Sequence, residues 1–94
     1  MVDIIIYETI KFVFNCRPMA VNDSENHVQF KFAIEKIPSK RLYTGFERLR
    51  NLYGGQYAVR VLFIPNGIMQ VLIGRKEFIA PIGINNSDFI LDIC

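Results

Sequence analysis

The segment QYAVRVLFIPNGIMQVLI, residues 56–73, leaves this chain little conformational choice. Two runs rich in β-branched residues, QYAVRVLFI at 56–64 and IMQVLI at 68–73, flank Pro-Asn-Gly. Pro presets φ, and Asn-Gly tolerates positive φ, so the segment predicts a β-hairpin. Val59, Val61, Phe63, Val71 and Ile73 are its expected core residues. Arg60 shares a side with Ala58, Leu62 and Ile64, where a guanidinium is costly unless it is paired or faces a cleft.

The 94 residues fit one domain, residues 1–94, and more than half of them are hydrophobic, so a core is affordable. The expected class is a small α+β domain with a twisted antiparallel sheet and one or two helices. Residues 2–7, VDIIIY, and 10–15, IKFVFN, read as strands from their β-branched content and I-x-F-x-F alternation. Residues 16–27, CRPMAVNDSENH, collect loop formers, as a connection or the approach to a helix. In HVQFKFAIEKI, Val28, Phe30, Phe32 and Ile34 alternate as a half-buried strand requires. Ser24 could instead cap a helix with Phe30, Ala33, Ile34 and Ile37 in register, but the alternation is the better fit.

SKRLYTGFERLRNLYGG is also open to two readings. As a helix it has Ser39 as N-cap after Pro38, an apolar stripe of Leu42, Phe46, Leu49 and Tyr53, and Gly54 as a stop. The interior Gly45 costs about 1 kcal/mol relative to Ala. As a strand beginning after Gly45 it sets Phe46, Arg48 and Arg50 on one face. Local pattern favours the helix. The tail EFIAPIGINNSDFILDIC reads as one or two short strands or a loop and a terminal strand, with Pro81 arguing against a central one.

The net charge of +2 conceals a segregation. Residues 1–35 and 77–94 are net acidic. Residues 36–76 carry Lys36, Lys40, Arg41, Arg48, Arg50, Arg60, Arg75 and Lys76 against Glu47 alone. Such asymmetry suits a polyanion or an acidic partner, or simply a solvated face. No apolar run reaches the roughly 20 residues that span a bilayer, and the N-terminus lacks secretory-signal features, which predicts a soluble, cytoplasmic protein without a membrane partner. Cys16 and Cys94 form no metal or redox motif and are expected as free thiols.

His27 is the only histidine, which leaves almost nothing from which to build a zinc site or a nucleophile-histidine pair. The glycines form neither a P-loop nor a dinucleotide fingerprint, so no metal and no cofactor is expected. The arginines remain. If residues 46–50 were a strand, Arg48, Arg50, Arg60 and Arg75 could share a concave face able to grip RNA and stabilise a pentacovalent phosphorane.

In this respect residues 41–78, RLYTGFERLRNLYGGQYAVRVLFIPNGIMQVLIGRKEF, resemble the three-strand half of the RelE/ParE toxins. There an "LxG...R-L-R" strand precedes "G-x-Y-R-V" and "VLxIGxR" strands. The resemblance implies a short N-terminal strand and two helices before a twisted antiparallel sheet. It also implies activity as a ribosome-dependent mRNA endoribonuclease, or gyrase poisoning in the ParE type, and an antitoxin partner. Arg48, Arg50, Arg60 and Arg75 would be the catalytic set, with Lys40, Arg41 and Lys76 binding nucleic acid or partner. The chain departs from the family in residues 9–37, which read as strands where helices are required. Near the C-terminus, where an aromatic or histidine serves the family as base or stacking group, only Phe78 is at hand.

Two other classes fit the same residues. One is a non-catalytic interaction protein, such as an inhibitor, immunity protein or phage-type antagonist, that docks on an acidic or nucleic-acid-binding protein surface. The other is a small RNA- or DNA-binding module using Tyr43, Tyr53 and Tyr57 for stacking, residues that core packing would equally explain. Whether residues 46–50 are strand or helix is the most informative observation, because the arginine ladder exists only in the first case.

Overall fold

The computed structural model of the chain describes residues 4–78 and 89–91. Helix α1 (Ile4–Phe14) opens it, followed by β1 (Ala20–Asp23), β2 (His27–Ala33), α2 (Ser39–Tyr53), β3 (Tyr57–Ile64), β4 (Ile68–Arg75) and β5 (Phe89–Leu91). The strands form one antiparallel sheet in the order β1-β2-β4-β3-β5. The fold is α+β, as expected.

The hairpin forms as the sequence predicts. Ile64 pairs with Ile68 across a loop in which Asn66 and Gly67 take φ of 76° and 72°. Val59, Val61, Val71 and Ile73 are buried, whereas Phe63 is only partly so. Alternation in β2 also holds: Val28, Phe30 and Phe32 are fully buried, and they lie on the same side as Met69, Val71 and Ile73.

The N-terminal expectation fails. Residues 4–14 are helical, and Ile6, Ile10, Val13 and Phe14 make the buried stripe at i, i+4, i+7 and i+8. The same letters satisfy period two, which is why they also read as strands. What distinguishes the two is the ending. Asn15 adopts φ 49°, its N–H donates to the Phe12 carbonyl at 3.2 Å, and the Cys16 N–H donates to that of Lys11 at 3.2 Å. This is a Schellman termination, for which Asn is a tolerated left-handed residue. Within the expected loop 16–27, residues 20–23 form a short strand, because β2 offers them an edge.

Residues 39–53 are α2, so 46–50 is helix and not strand. The cap differs from the expectation: Pro38 occupies it without a side-chain hydrogen bond, and Ser39 is the first helical residue. Of the tail, β5 is a strand; Pro81 and Cys94 lie outside the described residues.

Both helices cover the sheet face that carries Val28, Phe30, Val59 and Val61, and all contribute to one core. The Phe14 ring meets that of Phe32 at 5.2 Å between centroids. The helices touch at Gly45. A Cβ there would stand 2.8 Å from two Phe14 ring carbons and 3.0 Å from the Val13 carbonyl oxygen.

Gly45→Ala should therefore lower stability by about 1–2 kcal/mol, overpacking outweighing a helix-propensity gain of about 1 kcal/mol. Adding Phe14→Leu should make the pair less damaging than the sum of the single changes, as read from urea midpoints.

Candidate functional site

The arginines of residues 41–75 are divided by the fold. Helix α2 turns by about 100° per residue, so Arg41, Thr44, Arg48 and Leu52, spaced by three or four, line one flank, while Arg50 lies on another. That flank runs beside α1. Arg41 Nη1 donates to the Phe12 carbonyl at 3.0 Å, and the Arg48 guanidinium stacks over the Phe12 ring at 5.9 Å from its centroid. Thr44 turns its hydroxyl to the Lys40 carbonyl at 2.8 Å. Phe12, Val13, Arg41, Thr44, Gly45 and Arg48 enclose a cleft of about 320 Å³.

The electrostatics of this cleft follow from the helix ends. The first turn of α2 holds Lys40 and Arg41 and no acid, the reverse of what its own dipole favours. Arg41 is compensated from the other side, since its guanidinium meets the C-terminal, partially negative end of α1. No acidic side chain lines the cleft, so two guanidinium groups face it without a counter-charge among its walls. Phe12 is 65% exposed beside them, and Leu52 at 58% and Ile5 at 68% prolong the apolar surface on the two helices.

The other expected site residues are elsewhere. Arg60 alternates with buried Val59 and Val61, which sets it on the opposite sheet face, across from Leu72. It is half-buried there. Arg75, exposed at the end of β4 and opposite Tyr57, has its Nε 3.8 Å from Glu77 Oε1. With exposed Gln56, Lys76 and Glu77 and half-buried Tyr57 it lines a separate depression of about 300 Å³. The structure thus joins Arg41 with Arg48, and Arg75 with Lys76. The adjacent-strand ladder of Arg48, Arg50 and Arg60 is not formed, because the first two are helical.

Phe12 was not an expected site residue. A helical reading of residues 4–14 would have found it, since the stripe Ile6, Ile10, Val13 and Phe14 leaves Phe12 outside the core.

The chain matches no protein-family model, no curated protein and no solved structure. Among the described residues, no helix is long and apolar enough to cross a membrane.

Because the Schellman bonds still close α1, Arg41→Ala should cost only about 0.5–1.5 kcal/mol. Arg48→Ala should cost less than about 1 kcal/mol, the scale of an exposed cation–aromatic pair. Thermal unfolding of both variants checks this, and a chain unfolded by either change would make these side chains structural.

Proposed function

We propose that the chain is a non-catalytic interaction protein that binds an acidic segment of a protein partner through the exposed flank of its two helices. The observation that carries this is the pair of guanidinium groups held at Phe12, one by its carbonyl and one by its ring, with exposed Leu52 four residues on from Arg48 and exposed Ile5 seven residues before Phe12 on the same helix faces. Arginine and aromatic residues are what protein interfaces concentrate at their centres. Anchoring reduces the rotamer freedom lost on binding, and the fork of each guanidinium suits a carboxylate. Aliphatic neighbours favour a polypeptide over a nucleic acid, whose bases stack on aromatic faces.

The endoribonuclease suggested by resemblance to the RelE toxins needs Arg48, Arg50 and Arg60 to converge on one phosphate. The helical position of the first two supports the interaction reading instead.

A fluorescent Asp/Glu-rich peptide carrying one Phe and one Leu, titrated in parallel with single-stranded RNA at two salt concentrations, tests the proposal. The peptide should bind more tightly in low salt. Arg48→Glu should weaken it about tenfold or more, and Leu52→Ala to a lesser degree. Tighter binding to RNA would overturn it in favour of a nucleic-acid-binding module, and cleavage of ribosome-bound mRNA that Arg60→Ala abolishes would overturn it in favour of the nuclease.

A further inference from the structure

The cleft between α1 and α2 carries more positive charge than one carboxylate cancels. Arg41 and Arg48 both line it, and no acid does. The acids nearest in sequence lie outside its walls: Glu8 pairs with Lys11 at 3.2 Å, and Glu47 precedes Arg48 on α2. Arginine stays charged at every working pH, so the two positive charges are permanent. A partner carboxylate supplies one negative charge. A phosphorylated side chain supplies about −1.5 to −2 at pH 7, on three strong acceptor oxygens.

The donors for such a group are in place. Arg41 spends one N–H on the Phe12 carbonyl, which holds the rest of its fork at the cleft. Arg48 meets the Phe12 ring and, among the described residues, makes no hydrogen bond or ion pair, so its whole set of N–H donors is left for a ligand. Thr44 gives its proton to the Lys40 carbonyl, so recognition falls to the two guanidinium forks, which bind phosphate oxygens in pairs. Exposed Lys40 and the positive end of the α2 dipole raise the potential beside Arg41. At about 320 Å³ the cleft has the size of a small ligand pocket.

We infer that this cleft is a receptor for a phosphorylated serine or threonine in the acidic partner segment, so that phosphorylation of the partner strengthens its binding. The inference rests on the reading of the helical flank as a docking surface for an acidic polypeptide, and it names the group that fills the centre. Exposed Phe12, Leu52 and Ile5 favour a polypeptide as the carrier of that phosphate.

Titration of the full chain with three forms of one acidic peptide tests it, the central residue being serine, phosphoserine or aspartate. The phosphoserine form should bind about tenfold or more tightly than the serine form, and more tightly than the aspartate form. Arg41→Lys combined with Arg48→Lys keeps the charge but removes both forks. It should lose most of that gain while binding the serine form little changed, with the fold checked by circular dichroism. Lys76→Ala, in the separate depression, should leave the gain intact. Equal binding of the phosphoserine and serine forms would overturn the inference and leave the docking reading standing, whereas no binding of any form would overturn both. A gain that survives the double lysine variant, or that Lys76→Ala abolishes, would place the phosphate elsewhere and overturn the inference. Tighter binding to vesicles containing phosphatidic acid, or to single-stranded RNA, would overturn it in favour of those phosphate sources.

Discussion

The contact between Gly45 and the end of α1 governs the arrangement of this fold. With no Cβ at position 45, α2 approaches until its backbone meets the Phe14 ring and the Val13 carbonyl. That approach lets both helices share one sheet face and lets Phe14 reach Phe32 beneath them. A side chain at 45 would hold the helices apart and open space around residues that are fully buried. The glycine, unfavourable for helix propensity taken alone, is thus justified by packing.

The same approach creates the candidate site. Only when α2 lies against the last turn of α1 can Arg41 reach the Phe12 carbonyl and Arg48 cover the Phe12 ring. Two unfavourable local choices, cations in the first turn of α2 and a phenylalanine turned to solvent, become mutually supporting. Local rules broken together in one place, with partial compensation between them, are where functional surfaces are found. The sheet's opposite face, with Arg60, and the end of β4, with Arg75, take no part in this cleft.

The β3–β4 hairpin was legible because Pro-Asn-Gly fixes the turn and leaves the flanking β-branched runs no alternative. Strand β2 was legible from its alternation, and α2 from its stripe and Gly54. Helix α1 was not, since Ile10, Phe12 and Phe14 satisfy period two as well as Ile6, Ile10 and Phe14 satisfy the helical period, and β-branched content tilted the choice. Packing against Gly45 decided it, an interaction between residues 13–14 and a glycine far along the chain in α2. Strand β1 was hidden for a related reason: Asn22 and Asp23 are loop formers that pair only because β2 is beside them. The charged residues of the site were visible, but Phe12 and the separation of Arg48 from Arg60 depend on that misread helix and on the helical choice for 46–50.

Nuclear Overhauser contacts measured on the full chain address the central claim directly, because they report which side chains surround Arg48. The account predicts helical Cα shifts through residues 46–50 and contacts from the Arg48 side chain to the Phe12 ring. Extended shifts over those residues, with cross-strand contacts from residues 46–50 to the strand that holds Arg60, would contradict it and return the arginines to a single sheet face.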